Sequence, residues 1–212
     1  MKSKIIIIGG GGHAKVLISI IKKLKSFETL GYTDIENKGE ILGVKYLGTD
    51  SVLEKIIIKY PKCSAVIGVG RTNIEDKRQS IKQKLIDLNF SLPVIISPTS
   101  TINEDVTIGK GTVIFDRSIV NSGARIGETV ILNTNSVLEH DCFLENNVFI
   151  GPNSTICGGV FIDQNSFIGA GSTIIPNIKI SKNCLIGAGS VIINNLKKPG
   201  TYVGIPGKLI KL

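Results

Sequence analysis

Aliphatic residues recur at every sixth position through the second half of the chain. One register holds Ile, Leu or Val without interruption at Ile102, Ile108, Ile114, Val120, Ile126, Leu132, Leu138, Leu144, Ile150, Ile156, Ile162, Ile168, Ile174, Ile180, Ile186 and Ile192. A period of six fits neither an amphipathic helix nor a hairpin meander, and it is typical of a parallel β-helix built from hexapeptides. A single coil cannot bury its aliphatic face alone, so the repeat predicts about five stacked coils that share one core.

A second restricted position follows each of these aliphatic residues by four. It is mostly small or β-branched, as at Thr112, Ser118 and Ala124. Residues that favour tight turns stand between the predicted strands, at Gly109, Gly127, Asn133, Gly151, Gly169 and Gly187. These residues are expected at the corners of the coil, because Gly and Asn tolerate the backbone conformations that sharp turns require.

The first part of the chain has a different pattern, in which short apolar runs alternate with helical periodicity. The runs predict strands at residues 5–8, 29–33, 65–69 and 93–96, and helices after the first strand, at 51–59 and at 74–88. We expect the inner face of the first helix to carry Val16, Leu17, Ile20, Ile21 and Leu24. Alternating strands and helices predict a small α/β domain with a parallel sheet at residues 1–97, followed by the β-helix at 98–212.

Four consecutive glycines, Gly9 to Gly12, follow the first strand and precede His13 and the first helix. Backbone N–H groups without side chains can approach a diphosphate at a helix N-terminus. In a parallel sheet, ligands bind at the carboxyl ends of the strands, where this loop, Asp34 and the segment 68–71 with Gly70 would meet. Three interpretations stay open: a nucleotide-sugar pocket, an NAD site with Asp34 on the ribose, and a tight turn without a ligand.

Charge and aromatic content narrow the choice of partners. The formal net charge is +8, from 25 Lys and Arg against 17 Asp and Glu, and it is spread along the chain. This charge serves solubility or attracts anionic small molecules such as nucleotides and coenzyme A. A nucleic-acid partner is not expected, because there is no clustered basic stripe and the chain has only 7 Phe, 4 Tyr and no Trp for stacking.

The cysteines and the hydropathy favour a cytoplasmic protein without membrane insertion. The apolar run Ile5 to Ile8 is too short for a membrane span or a signal-peptide core. Cys142 and Cys184 fall on the small inward positions of the repeat, which indicates packing residues in a reducing compartment. No metal site is expected, since no two cysteines or histidines have ligand spacing.

The chain has two histidines, His13 and His140. His140 lies two residues past the inward Leu138, so it should stand at a corner of the β-helix and point outward. If three hexapeptides make one coil, residues eighteen apart lie about 4.8 Å apart on adjacent coils. That spacing places His140 beside Gly158, and a base next to an accessible backbone N–H is what acyl transfer needs. The alternative is an inert surface histidine.

The whole chain resembles the nucleotide-sugar acetyltransferases of the left-handed β-helix superfamily. The resemblance rests on the glycine loop, Asp34, the hexapeptides with Asn133-Thr134 and Glu139-His140-Asp141, and the closing segment 199–206. It is strongest with the N-acetyltransferases of bacillosamine, perosamine and viosamine synthesis and with sialic acid O-acetyltransferases. It implies a left-handed coil, a homotrimer, and acetyl transfer from acetyl-CoA to the amine of a nucleotide-linked 4-amino-4,6-dideoxysugar for bacterial surface glycans.

The resemblance also implies roles for individual residues. His140 matches the general base, Asp141 the acid that orients it, and Gly158 the amide that supports the thioester oxygen. Two further sets are implied. Substrate contacts would come from Gly11, Gly12, His13, Asp34, Gly70 and Asn133. Coenzyme A contacts would come from Gly158, Gly169, Ala170, Ile175, Gly187 and Lys208.

Two positions depart from the pattern of these relatives. Phe149 stands where many have a second histidine, and Ser97-Pro98 stands where many read His-Pro. The polar contact made by that second histidine is therefore in doubt. Three other functions compete: an O-acetyltransferase with the same base, a non-catalytic nucleotide-binding scaffold, and a γ-class carbonic anhydrase. The last needs three zinc histidines, and the repeat block has one.

Overall fold

The computed structural model describes residues 2–74 and 77–211, and the chain divides into two compact units. One unit comprises Met1–Arg71 and Asp76–Pro98, and the other comprises Thr72–Glu75 and Thr99–Leu212. None of the helices in these described stretches is long and apolar enough to cross a lipid bilayer.

The first unit is an α/β domain. Its elements are β1 (Ser3–Ile8), α1 (Gly12–Leu24), β2 (Phe27–Thr33), β3 (Tyr46–Gly48), a 3₁₀ turn (Asp50–Val52), α2 (Leu53–Lys59), β4 (Ser64–Ile67), α3 (Lys77–Asp87) and β5 (Ile95–Ile96). The sheet has the order β3-β2-β1-β4, and every neighbouring pair is parallel. The sequence pattern missed β3, and the prediction of residues 93–96 as a strand of this sheet was wrong. The first turns of the predicted helix 74–88 include residues 75 and 76, which lie outside the described residues.

The core of this domain has two parts: Ile6 and Ile8 of β1 cluster with residues of α2, β4 and α3 such as Leu53 and Leu85, and α1 buries a face of its own. Four consecutive isoleucines, Ile5 to Ile8, are at most 2% exposed, as expected for a strand covered on both faces. Helix α1 buries Ala14, Leu17, Ile18, Ile20 and Ile21, so the predicted inner positions Leu17, Ile20 and Ile21 are confirmed. The prediction that Val16 belongs to the inner face was wrong: its side chain is 39% exposed, whereas Ile20, one turn further along the helix, is 0% exposed.

The second unit is the left-handed parallel β-helix. Its strands are β6 (Thr101–Ile102), β7 (Thr107–Ile108), β8 (Val113–Ile114), β9 (Ile119–Val120), β10 (Arg125–Ile126), β11 (Ile131–Leu132), β12 (Val137–Leu138), β13 (Phe143–Leu144), β14 (Phe149–Ile150), β15 (Thr155–Ile156), β16 (Phe161–Ile162), β17 (Phe167–Ile168), β18 (Thr173–Ile174), β19 (Lys179–Ile180), β20 (Cys184–Ile186), β21 (Val191–Ile192), β22 (Gly200–Val203) and β23 (Lys208–Lys211). The turn before each strand from β7 to β21 has a residue with left-handed backbone, for example Asn135 and Asp141 at φ 58°.

Every third strand pairs in parallel, so the coil has three faces. The first face contains β6, β9, β12, β15, β18 and β21, and the second contains β7, β10, β13, β16 and β19. The third contains β8, β11, β14, β17 and β20, extended by β22 and the antiparallel β23. Paired residues differ by eighteen, as in Val137 with Thr155. This register is the one that three hexapeptides per coil predicts.

The inward aliphatic ladder forms the core of the β-helix. Leu138, Leu144, Ile150 and Ile156 are each 0% exposed, and the periodic positions are buried from Ile114 onward; Ile102 and Ile108 in the first coil are only half-buried. The small inward positions are buried too, and their hydroxyls bond to backbone carbonyls fifteen residues on, as from Ser154 Oγ to the oxygen of Gly169 at 2.8 Å. These bonds explain why serine is stable inside an aliphatic core.

Candidate active site

The corner between the first and second faces carries the residues that can do acid–base chemistry. We define the His140 corner as residues 121–123, 139–141, 157–159 and 175–177. The strands β12 and β13 hold residues 139–141 between them. His140 and Asp141 are exposed, with side-chain accessibilities of 66% and 72%, and His140 Nδ1 lies 2.8 Å from Asp141 Oδ2. A pair this exposed adds little to stability, and its geometry places the carboxylate within hydrogen-bonding distance of Nδ1.

The imidazole of His140 lies against Gly158. A Cβ built on Gly158 would lie 2.5 Å from His140 Nε2 and 2.7 Å from Cε1, so only a residue without a side chain leaves room for the ring. The two coils are joined by a hydrogen bond of 3.0 Å from the Gly159 N–H to the His140 carbonyl. The eighteen-residue spacing therefore brings these residues into contact.

The Gly158 N–H is available to a ligand. No carbonyl within residues 2–74 and 77–211 accepts it, and Pro152 and Pro176 occupy the equivalent corner position, so the coil does not need a donor there. If Asp141 accepts the Nδ1 hydrogen of His140, Nε2 keeps its lone pair. The corner then presents a proton acceptor beside an N–H donor, which are the two groups that acyl transfer requires.

One thiol, Cys157, belongs to this corner, and a second, Cys142, directly follows Asp141 in sequence. Burial raises the pKa of Cys142 to about 11. Burial, and next the Glu139 carboxylate, raise the pKa of Cys157, which precedes Gly158. Both side chains are therefore protonated thiols at neutral pH, and a thiol is a poor nucleophile. This environment disfavours a covalent acyl-enzyme.

The glycine loop joins β1 to α1. Gly11 is the N-cap of the helix, and no acidic residue lies in its first turn. A Cβ on Gly11 or Gly12 would meet nothing within 4 Å, so the space above both residues is open. The free N–H groups of a helix N-terminus and the positive end of its dipole make such a loop suitable for an anion.

Asp34 fixes the glycine loop through a hydrogen bond to its backbone. Its Oδ2 accepts the Gly10 N–H at 2.6 Å and lies 3.5 Å from Lys38 Nζ. Partial burial would raise the pKa of Asp34, but the N–H groups of Gly10 and Glu36 and the Lys38 ammonium outweigh it and hold the pKa below its usual range. A ribose contact by Asp34, as the sequence suggests, would have to share the carboxylate with this structural bond.

A hollow of about 420 Å³ opens over the loop. It is lined by Gly10, Gly11, Gly12, Lys15, Lys38, Glu40, Ile41 and Leu42. Two ammonium groups and the backbone of three glycines make it suited to a phosphate group. The lysines were not among the predicted contacts; their positions after the loop and after Asp34 are the signal that could have found them.

His13 and Gly70 do not line this hollow. Burial, and next the charge of Arg78, lower the pKa of His13 to about 3, so its imidazole is neutral at physiological pH. A Cβ on Gly70 would lie 3.1 Å from the His13 Cβ. The His13 side chain packs inward against Gly70, and an imidazole so buried cannot supply positive charge; a phosphate contact by this residue would have to come from its backbone.

The remaining predicted contacts are divided between two corners. We define the Asn133 corner as residues 133–135, 151–153, 169–171 and 187–189, between the third and first faces. It carries Asn133, Gly169, Ala170 and Gly187, whereas Ile175 lies on the His140 corner with Gly158. Lys208 begins β23. One chain thus does not bring all of these residues together.

Phe149 lies on a face of the β-helix. It is on β14, it is 6% exposed, and its ring stacks on Phe167 with centroids 4.4 Å apart and planes 3° from parallel. An aromatic pair at this distance is a stable packing unit. Ser97, the second departure, is 1% exposed.

A left-handed β-helix with a histidine over a corner glycine defines the class of hexapeptide-repeat acyltransferases. Family models agree: the PglD N-terminal domain matches residues 4–85, and the bacterial transferase hexapeptide (six repeats) matches residues 141–175 and 159–194. No curated protein matches the sequence.

Solved structures identify the family more closely. A mutant of perosamine N-acetyltransferase from Caulobacter crescentus, in complex with CoA and GDP-perosamine, is 30% identical with a TM-score of 0.92, over 98% of this chain and 97% of that one. The acetyltransferase domain of PglB from Neisseria gonorrhoeae FA1090, in complex with acetyl coenzyme A, is 29% identical with a TM-score of 0.92, over 99% and 100%. WeeI from Acinetobacter baumannii AYE, 20% identical with a TM-score of 0.85 over 99% and 100%, shares the fold. The chain belongs to the hexapeptide-repeat nucleotide-sugar acetyltransferases.

Proposed function

We propose that this protein transfers acetyl from acetyl-CoA to the amine of a nucleotide-linked 4-amino-4,6-dideoxysugar used for bacterial surface glycans. The observation that carries the proposal is the position of His140 Nε2, which lies 2.5 Å from where a Cβ on Gly158 would be. It places a base and a backbone donor at one point, where a thioester carbonyl and an attacking amine can meet. The similar perosamine enzyme was crystallised with CoA and GDP-perosamine.

The reaction follows from these groups. The neutral amine attacks the thioester carbonyl, and an N–C bond forms while the carbonyl oxygen becomes an oxyanion. His140 Nε2 takes the proton of the attacking amine, and the Gly158 N–H donates to the oxyanion. When the C–S bond breaks, the imidazolium returns its proton to the departing CoA sulfur. Asp141 accepts the Nδ1 hydrogen and holds the ring in the tautomer that leaves Nε2 free.

The nucleotide part of the substrate would bind the first unit. The N–H groups at Gly11 and Gly12 and the ammonium groups of Lys15 and Lys38 would receive the diphosphate, because all four surround the hollow over the loop. Asp34 supports this site by fixing Gly10. The half-size sheet with order β3-β2-β1-β4 disfavours the NAD alternative, since a full dinucleotide fold has two such halves.

We infer a homotrimer with active sites between copies of the chain. The predicted contacts lie on two corners of a three-faced coil, and one face of six residues separates corners by up to about 20 Å. Two copies that meet corner to corner would unite Asn133, Gly169, Ala170 and Gly187 of one with His140 and Gly158 of the other. Coenzyme A would lie in that groove, with Ile175 and Lys208 as further contacts.

A cytoplasmic location fits this function. All four cysteines are free thiols, as expected in a reducing compartment.

Among the described residues, no group of three His, Cys, Asp or Glu side chains is placed to hold a metal ion, and every step proposed here uses groups of the chain itself.

Turnover of acetyl-CoA against a panel of UDP-, dTDP- and GDP-linked amino sugars tests the proposal. The unmodified protein should acetylate at least one 4-amino sugar, and His140→Asn should lower kcat about a hundredfold or more while it keeps the melting temperature. Near-normal turnover by a folded His140→Asn would contradict the assignment of the base. Transfer to hydroxyl sugars alone would instead indicate the O-acetyltransferase that the same base could serve.

A further inference from the structure

At two places in this β-helix, the asparagine at the left-handed corner position bonds to the asparagine at the same position one coil along. Asn135 Nδ2 donates to Asn153 Oδ1 at 2.7 Å, and Asn147 Nδ2 donates to Asn165 Oδ1 at 3.0 Å. These amide ladders fix each side chain along the axis of the coil. Asn suits the position because it tolerates φ near +60°.

Asp141 occupies the same position, but it has a glycine on each neighbouring coil. Gly123 precedes it by eighteen residues and Gly159 follows it by eighteen, with φ of 75° and 69°. Neither can take part in a side-chain ladder. The only side-chain hydrogen bond seen for the Asp141 carboxylate within residues 2–74 and 77–211 is therefore the one with His140 Nδ1 at 2.8 Å.

Gly123 also gives the carboxylate its place. A Cβ built on Gly123 would lie 2.6 Å from Asp141 Oδ1, so the carboxylate occupies the space that a side chain would fill. The backbone conformation alone does not require glycine here, because Asn135, Asn153 and Asn177 adopt φ of 56° to 62° at equivalent turns. What Gly123 alone provides is the absence of a side chain under Asp141.

We propose that Gly123 is a positioning residue: by leaving Asp141 without a ladder partner, it directs the Asp141 carboxylate to Nδ1 of His140. Asparagine at this position would donate its Nδ2 hydrogen to Asp141 Oδ1, as Asn135 does to Asn153, and would draw the carboxylate away from the imidazole. The ring would lose the acceptor that selects its Nδ1–H tautomer, and Nε2 would be a free base for less of the time. This inference rests on the proposed function of His140.

A double-mutant cycle between Gly123→Asn and Asp141→Ala tests the coupling. Gly171→Asn is the matched control, because Gly171 has φ of 67° and a Cβ there would meet nothing within 4 Å. We expect Gly123→Asn to lower kcat about ten- to hundredfold with the KM for acetyl-CoA nearly unchanged, and to have no further effect on Asp141→Ala. Any effect of Gly171→Asn should be the same with and without Asp141.

The histidine tautomer gives a second, spectroscopic measurement. In ¹⁵N-histidine spectra, the His140 signal, identified by its loss in His140→Asn, should report Nδ1–H in the unmodified protein and a mixture of tautomers in Gly123→Asn. If Gly123→Asn does not fold, Gly123→Ala is the second variant, because its Cβ alone reaches Asp141 Oδ1.

The outcomes separate this proposal from the proposed function. If Asp141→Ala lowers kcat but Gly123→Asn does not, or if Gly123→Asn acts equally in the Asp141→Ala background, the role of Gly123 is wrong and that of Asp141 stands. An unchanged tautomer in Gly123→Asn also overturns it. If Asp141→Ala has no effect on kcat, the roles of Asp141 and Gly123 are both wrong. Activity in a folded His140→Asn would overturn the proposed function itself.

Discussion

The chemistry of this chain depends on a few residues whose neighbours lack side chains. Gly158 leaves room for His140, and Gly123 leaves room for Asp141. In both cases the glycine is eighteen positions away in sequence from the histidine or aspartate that has the proposed chemical role. On the His140 corner, the imidazole and the carboxylate therefore occupy space that a side chain at either glycine would fill.

Gly158→Ala should remove activity at little cost to the fold. Ala170 and Ala188 occupy the same corner position on other coils, so alanine is compatible with the turn, but at 158 its Cβ would lie 2.5 Å from His140 Nε2. The ring must move, and we expect kcat to fall about a hundredfold with a small change in melting temperature. Steady-state kinetics and thermal unfolding measure the two effects. A large loss of melting temperature with normal kcat would show that Gly158 is only structural.

His13 should make stability depend on pH. The pKa of His13 in the folded protein, about 3, lies below the ordinary 6.5. Between these two pH values the imidazole is protonated in the unfolded chain and neutral in the folded protein. The free energy of unfolding therefore keeps the full contribution of neutral His13 above pH 6.5. It decreases as the pH falls toward 3, with a limiting slope of about 1.4 kcal/mol per pH unit. His13→Gln should reduce this slope between pH 6.5 and 4, as measured by urea unfolding, whatever its effect at pH 7. An unaltered slope would contradict the burial of the imidazole.

At the scale of elements, the site in the first unit is the junction of β1 and α1. The strand ends at the glycines, the helix begins with Gly12, and Asp34 follows the adjacent β2. Parallel pairing of β1 with β2 brings Asp34 under the loop. The position of the hollow therefore follows from the order of the sheet.

Asp34→Ala should weaken nucleotide-sugar binding selectively. It removes the acceptor of the Gly10 N–H, a bond to a charged group that is worth about 1.5–3 kcal/mol. We expect the KM for the sugar nucleotide to rise about tenfold or more while the KM for acetyl-CoA stays unchanged. Asp34→Asn, which keeps an oxygen acceptor, is the control and should lose less. Equal losses for both substrates would indicate general unfolding.

At the scale of the whole molecule, the proposed site needs more than one copy of the chain. Asn133 and His140 are seven residues apart in sequence but occupy different corners of the coil. Each copy would contribute one corner to each of two sites in a closed ring.

Light scattering should give a mass about three times the 22.7 kDa of the chain. A mixture of two inactive variants, Asn133→Ala and His140→Asn, gives the sharper test. If they assemble at random, about a quarter of the interfaces combine two intact corners, so co-expressed variants should regain about that fraction of activity. Either variant alone is the control. No recovery from a mixed assembly would show that Asn133 and His140 do not share a site.

Much of this architecture could be predicted from the sequence, because its signals are local or periodic. The sixfold ladder sets strand length, core and register, and from the register follows the contact between His140 and Gly158. The glycine run indicated the loop, and strand order brought Asp34 to it, but the sequence predicted a substrate contact for Asp34 and not its hydrogen bond to Gly10. By contrast, the short strand Tyr46–Gly48 has no periodic pattern, and the exposure of Val16 depends on the side of α1 that meets the sheet.

The sequence by itself determined the coil, because each hexapeptide repeats the same steric and hydrophobic requirement. In such a regular repeat, the number of residues between two positions gives their relative position in space. Only the tertiary structure decided what non-repeating side chains do. It turned His13 inward against Gly70, where burial keeps it neutral, and it brought Lys15 and Lys38 around the hollow. It also placed the Asp141 carboxylate over Gly123, because side-chain direction depends on which neighbouring space is empty, and spacing does not record that.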